Sequence, residues 1–208
     1  VSSLVLASAS PRRAELLRQM GVEFEQCPVD LDEQQHAGES PEEYVVRLAR
    51  EKSAEAQRLL KEDRVVLAAD TCVVQDGQVL GKPVDHFDGL GMLARLSGRE
   101  HRVLTAVCVR WGDQLEEELS DTTVKFVNLT REQCEAYLAT DEPWDKAGGY
   151  GIQGLAGAFV ESITGSYSGV VGLPLAQTLQ LLERVQGGQQ AGIVGRLERE
   201  ADERRDPG

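Results

Sequence analysis

Short apolar runs alternate with longer amphipathic stretches along this chain, and that alternation predicts its elements. Leu4-Val5-Leu6-Ala7 is a compact apolar run that stops at Ser8, the pattern of a buried strand. Ser10 stands where an N-cap belongs and Pro11 where a helix begins, and the helix that follows buries Leu16, Leu17 and Met20. A second strand is predicted over 21–25. Ser40-Pro41-Glu42-Glu43 is a capping box that opens a helix running to about residue 60. Val45, Leu48, Ala49, Ala56, Leu59 and Leu60 share one face of it, with Lys52 near the middle of that face. Val65-Val66-Leu67-Ala68-Ala69 reads as a buried central strand that ends at Asp70-Thr71. Residues 72–80 form a hairpin about Asp76-Gly77 and deliver Gly81-Lys82-Pro83.

Further on, a helix is predicted over 88–96, then two strands over 103–111 and 119–127 joined by an acidic turn around 116–118. Thr130-Arg131-Glu132-Gln133 starts another helix, which ends before Asp141-Glu142-Pro143. A glycine-rich loop over 144–154 leads to a strand over 158–163. Val170-Val171-Gly172-Leu173-Pro174 turns into a last amphipathic helix reaching about residue 185. Strands alternating with helices predict an α/β fold. One domain is expected over 1–186, with a charged, poorly packed tail over 187–208.

Composition narrows the function. The chain has 208 residues and a net charge of −13, which argues against nucleic acid as the main partner. No apolar run approaches the roughly 18 residues a membrane span needs, and no leader pattern is present, so a cytoplasmic location is expected. Cys27, Cys72, Cys108 and Cys134 lack metal or disulfide spacing and are expected to be buried free thiols. His36, His86 and His101 are too scattered for a histidine-based triad or metal cluster.

In an acidic protein, local positive charge is the informative signal. Arg12 and Arg13 occupy a first helical turn, where the macrodipole favours anions. With Ser8 and Ser10 they read as a phosphate cradle. Lys52 on an apolar face, Lys82 on a constrained loop and Lys146 beside the glycines add cations from separate stretches. Glu33, within Asp30-Leu31-Asp32-Glu33, and Asp70 are candidate divalent-metal ligands. Gly149, Gly151 and Gly154 satisfy G-x-G-x-x-G, but no strand precedes them and the dinucleotide reading is rejected. They suggest instead a loop lying close to a ligand, with Lys146 and Gln153 as its polar groups. The bland alternatives are solvated arginines, a snorkelling Lys52, an Asp70 that caps a turn and a flexible loop over 144–154. There is no Walker A pattern and no nucleophile with a partner base. Five cations and two carboxylates together point to metal-assisted hydrolysis of a phosphoanhydride, with a triphosphate as substrate.

An ordered set of segments resembles the Maf family of nucleoside triphosphate pyrophosphatases. It comprises Ser8-Ala9-Ser10-Pro11-Arg12-Arg13, Asp32-Glu33, Arg50-Glu51-Lys52, Ala69-Asp70-Thr71, Gly81-Lys82-Pro83, Asp145-Lys146-Ala147-Gly148 and Val171-Gly172-Leu173-Pro174. The resemblance implies an α/β fold of two lobes around an elongated mixed β-sheet with flanking helices (Maf/ITPase-like), with the active site in the cleft between lobes. It implies hydrolysis between the α- and β-phosphates, a divalent cation such as Mg²⁺, Mn²⁺ or Co²⁺, and a homodimer. Asp70 then corresponds to the proton acceptor, Glu33 to a metal-site partner, and Ser8, Arg13, Lys52 and Lys82 to phosphate and catalytic contacts. Arg12, Thr71 and Gln153 match the positions that choose the base. Within the run Gly151-Ile152-Gln153-Gly154 they resemble the dTTP/UTP branch rather than the one acting on 7-methyl-GTP. CTP and modified pyrimidine nucleotides stay open as substrates. Cys72 and Gly149 depart from the usual pattern without touching the inferred chemistry. The competing expectation is a regulatory nucleotide-binding protein, since the family name is tied to arrest of septum formation.

Overall fold

The computed structural model describes residues 4–60 and 64–185, so the tail expected over 187–208 lies outside the described residues. Leu4–Leu6 (β1) feeds the helix Pro11–Gln19 (α1), which returns to Phe24–Gln26 (β2), parallel to β1. The helix Pro41–Leu60 (α2) then crosses to the long strand Val65–Gln75 (β3), parallel to the other edge of β1. Asp76-Gly77, both at positive φ, turn β3 into Gln78–Leu80 (β4). After His86–Leu96 (α3) come Glu100–Trp111 (β5) and Gln114–Phe126 (β6), which extend the sheet antiparallel. Arg131–Leu138 (α4), a series of 3₁₀ turns, Val160–Thr164 (β7), Tyr167–Val171 (α5) and Leu175–Val185 (α6) complete the chain. The result is the expected mixed α/β architecture, a seven-stranded sheet in the order β2-β1-β3-β5-β6-β7 with β4 added on β3.

Burial explains why the strand patterns read as they do. Leu67 and Ala69 face α1 and α6, packing with Leu17, Leu181 and Leu182. Val66 and Ala68 face the other way and pack with Ala56 of α2. A strand covered on both faces is apolar without alternation. Farther along the sheet, Val73 and Val103 join Leu93, Phe126, Tyr137 and Tyr150 in a second core under α3 and α4. The core under α1 and α6 and the core under α3 and α4 thus take successive parts of β3, residues 65–69 and Val73.

Several expectations need correction. β3 does not end at Asp70, because its pairing with β5 continues unbroken through Asp70↔Ala106 and Thr71↔Thr105. What ends near Asp70 is the neighbour: β1 stops at Leu6, opposite Leu67, and β4 begins pairing only at Val73. Residues 68–72 therefore have a strand on one side and an open crevice on the other, the kind of break where α/β sheets bind ligands. The acidic turn around 116–118 is also displaced. Gly112 and Asp113 make the turn, and Trp111 pairs with Gln114. Glu116, Glu117 and Glu118 lie within β6, where Arg184 and Arg50 pair with them. Leu59 is exposed although Leu60 joins the core. The strand expected over 158–163 starts at Val160, after a 3₁₀ helix over Leu155–Phe159. Cys72, Cys108 and Cys134 are buried, Cys27 is half-buried, and all four are free. No helix among the described residues is long and apolar enough to cross a membrane.

Candidate active site

The crevice beside β3 widens into a cleft of about 670 Å³. Ser8, Arg12, Arg13, Glu33, Lys52, Asp70, Thr71, Lys82, Lys146 and Gln153 all border it, so the structure gathers every residue singled out in the sequence. Its volume falls within the range of small-molecule sites.

Its floor is an ion triad in which Lys52 and Asp70 are buried and Glu33 is exposed. Lys52 projects from the core-facing side of α2 and is only 9% exposed. Its Nζ lies 2.6 Å from Asp70 Oδ1 and 2.6 Å from Glu33 Oε1. The lysine therefore meets carboxylates and does not snorkel, as a charge on an apolar face requires. Asp70 is held inside the sheet, whereas Glu33 comes from a loop that α2 pins. Tyr44 Oη donates to the Glu33 carbonyl at 2.9 Å, and Arg47 Nη2 donates to the Gln34 carbonyl at 3.0 Å. Burial pushes the Asp70 carboxyl above its ordinary value, against the pull of Lys52 and Arg13. Burial also works on Glu33, but there the hydrogen bond and charge of Lys52 outweigh it and hold the carboxyl low.

Above the triad stands the cradle at the start of α1. Ser10 caps the helix, its Oγ accepting from the Arg13 amide at 3.4 Å. Ser8 Oγ accepts from the Ser10 amide at 3.1 Å and from Arg13 Nη1 at 3.3 Å. Arg13 does not simply face solvent at a helix start. Its Nε donates to the Gly172 carbonyl at 2.8 Å and its Nη2 to Thr71 Oγ1 at 3.2 Å. The Thr105 hydroxyl donates to the Gly169 carbonyl at 2.8 Å, so in the 2.8 Å Thr71–Thr105 contact Thr71 must be the donor. That leaves the Thr71 oxygen free to accept from Arg13. Thr71 thus holds Arg13 in place, while Arg12 turns away to Asp145 Oδ2 at 3.3 Å.

The far wall is the glycine-rich segment, and it is a folded loop rather than a loose one. Gly148 and Gly149 are buried in a 3₁₀ turn, and the Gly148 amide donates to the Gly81 carbonyl at 2.9 Å beside Lys82. The close approach signalled by these glycines is largely to protein. A Cβ at Gly151 would lie 2.7 Å from Lys146 Cε, and one at Gly154 would lie 2.2 Å from Glu142 Oε2. Lys146 Nζ is engaged with the Glu142 carbonyl at 2.7 Å and Asp145 Oδ1 at 2.6 Å. Lys82 and Gln153 are exposed along the rim. Thr105, Gly172 and Glu142 were not foreseen as parts of the site. Their partners lie far off in sequence or in loops, where no periodicity marks them.

Glu33 and Asp70 fit a divalent ion. Both place a carboxylate oxygen 2.6 Å from one point of positive charge, the Lys52 ammonium. Among the described residues no group of three or more His, Cys, Asp or Glu side chains forms a cage. Two hard oxygen donors with room for water and phosphate suit Mg²⁺-like ions, which favour such partial protein ligation.

The family described as Maf-like protein matches residues 3–185 of this chain. A protein of Pseudoalteromonas atlantica, described as dTTP/UTP pyrophosphatase, is 54% identical over 185 residues, covering 88% of this chain and 96% of its own. One from Escherichia coli with the same description is 50% identical over 182 residues, covering 88% of this chain and 92% of its own. Among solved structures, a HAM1 protein from Coxiella burnetii aligns with a TM-score of 0.44 at 16% identity, covering 61% of this chain and 73% of its own.

Proposed function

This chain belongs to the Maf family, and we propose that it hydrolyses dTTP and UTP to the nucleoside monophosphate and pyrophosphate in the cleft beside β3. The observation that carries this reading is Lys52 joined to both Asp70 and Glu33 directly beneath the Ser8–Arg13 cradle. Relatives at 54% and 50% identity that are described as dTTP/UTP pyrophosphatases support it.

In this mechanism the triphosphate lies along the cradle. Asp70, made more basic by burial, accepts a proton from the water that attacks the α-phosphorus. The bond from that phosphorus to the bridging oxygen breaks, and pyrophosphate departs. Lys52, Lys82 and the two Arg13 N–H groups not engaged with protein stabilise charge on the phosphoryl oxygens. A divalent cation held by Glu33 and Asp70 would polarise those oxygens when bound. Arg12 and Gln153 serve base selection, Lys146 contacts the substrate, and Thr71 acts at the phosphate end by holding Arg13. The Gln153 amide offers one donor and one acceptor to the O4/N3 edge of uracil or thymine. Cytosine presents the reverse donor–acceptor order at that edge, so the amide rejects it only when held in the orientation that pairs with uracil. The domain over 1–186, a homodimer and a cytoplasmic setting belong to the same proposal.

The test is pyrophosphate release from dTTP, UTP, CTP, GTP and 7-methyl-GTP with Mn²⁺, for the wild type and Asp70→Asn. Turnover of dTTP and UTP is expected, falling by ~10³-fold in the variant, the scale of a lost general base. Preference for 7-methyl-GTP would overturn the base assignment. A flat panel would sink the enzyme and leave a nucleotide-binding protein.

A further inference from the structure

Glu142 is a half-buried hub that lines the cleft and is bonded to the loop carrying Gln153. Its Oε2 accepts from the Leu155 amide at 2.8 Å and its Oε1 from the Ala156 amide at 3.2 Å. Those amides open the 3₁₀ helix Leu155–Phe159, so the carboxylate closes one end of the loop. The other end is held through a neighbour. Tyr137 Oη donates to Glu142 Oε1 at 2.9 Å and accepts from the Gly151 amide at 3.3 Å. Residues 151–156 are thus tied at both ends to one acid–phenol pair, with Gln153 between the ties. Gly154 lies directly on the carboxylate, where any side chain would collide. Three donors outweigh burial and keep this carboxyl below its ordinary value, so it accepts all three as an anion. Lys146 reaches the Glu142 carbonyl and adds the nearest positive charge.

We propose that Glu142, acting with Tyr137, is a positioning residue for base selection, setting the place of Gln153 through the backbone of residues 151–156. The assignment rests on the pyrimidine-triphosphate reading above. Glu142 need not touch the nucleotide. It fixes the loop so that the Gln153 amide meets the base without an ordering cost, and selectivity depends on that fixed geometry. A residue that only stabilised the fold would lower all activities together. A positioning residue alters KM and the choice between bases while largely sparing kcat.

The experiment compares wild type, Glu142→Ala, Glu142→Gln and Tyr137→Phe. Steady-state constants are measured for UTP and CTP with Mn²⁺, and amide hydrogen exchange of 151–156 is followed without nucleotide. In Glu142→Ala, KM for UTP is expected to rise about tenfold with kcat within about threefold, and the UTP-to-CTP preference to shrink by about tenfold. Exchange across 151–156 accelerates by at least about tenfold. Glu142→Gln, which keeps a carbonyl acceptor, recovers part of each effect. Unchanged exchange overturns the tether, and a uniform fall in kcat for both nucleotides overturns the role in selection. Should Glu142→Ala fail to fold, Tyr137→Phe removes the bond to Glu142 and releases the Gly151 amide, leaves the Leu155 and Ala156 amides tied, and is judged by the same readings on a smaller scale. If the wild type turns over neither nucleotide, the pyrophosphatase reading fails by itself. Exchange, with calorimetric affinity for UMP against CMP, then decides the positioning role.

Discussion

The phosphate end of the cleft is centred on side chains that project from regular elements, with Glu33 and Lys82 added from loops, whereas the base end is built on a loop whose backbone is held by Glu142 and Tyr137. Lys52 stands on a helix, Asp70 within a strand and Arg13 at a helix start, each fixed by partners at 2.6–3.3 Å. Gln153 sits on a loop between 3₁₀ turns that is anchored by Tyr150, Ile152 and Ala156 on either side, while Gln153 itself is exposed. Bond-breaking tolerates little misplacement, so its groups rest on rigid elements. Reading a base requires adaptable hydrogen bonding, and a loop is the cheaper place to vary it.

The contrast can be broken from either end, and the expected effects differ in size. Asp70→Asn, above, is the largest. Arg13→Lys comes next: lysine keeps the charge but lacks the fork that joins Gly172, Ser8 and Thr71. A fall of about 10²-fold in kcat/KM for dTTP and UTP alike is expected, consistent with losing about 3 kcal/mol of charge-assisted hydrogen bonding. A change confined to one base would contradict the division into two ends.

The Glu142 variants rank third, with selectivity as their signature. Thr105→Val is smaller in activity and clearer in stability. At the fully buried Thr105 position it removes the donor to the Gly169 carbonyl and the acceptor of the Thr71 hydroxyl proton, while Thr71 still accepts from Arg13. A loss of about 1–3 kcal/mol in denaturant unfolding is expected, with base preference intact. Stability equal to wild type would remove Thr71 and Thr105 from the support of Arg13.

The smallest effect is an acid step. Folding lowers the Glu142 pKa, so its contribution is complete above the ordinary glutamate range and is lost as pH falls through the depressed folded value. Tyr137, Lys146 and Asp145 are the charged or titratable groups nearby, and none of them supplies a replacement acceptor to the Leu155 or Ala156 amide. As pH falls below the ordinary glutamate range, exchange in 151–156 corrected for intrinsic rate should quicken in the wild type and not in Glu142→Gln. Equal acid profiles would show that the tether does not depend on this ionisation.

The same division separates what could be read in the sequence from what could not. The Ser10 cap, the Asp76-Gly77 hairpin and the misplaced lysine at 52 are local patterns, and each appears where it was expected. Asp70 looked like a strand end because a carboxylate interrupts an apolar run, yet nothing in the run reveals that β1 stops while β3 continues. The acidic triplet at 116–118 looked more like a turn than Gly112-Asp113 did, since pairing with Arg50 and Arg184 depends on helices far away in sequence. The glycines of 148–154 were singled out for close approach to a ligand, and the groups that Gly151 and Gly154 meet are the side chains of Lys146 and Glu142. Which partner they approach was invisible, because Glu142 and Tyr137 carry no periodic signature.

One bond also orders the molecule in time. Arg13 and the Gly172 carbonyl are 159 residues apart in the chain, yet they close a single cradle. As synthesis proceeds from the N-terminus, α1 and its serines emerge early and wait for almost the whole remaining sequence. A nascent chain therefore holds an unfinished anion site until α5 has left the ribosome, and truncated products retain the cations without the geometry that would aim them at a nucleotide.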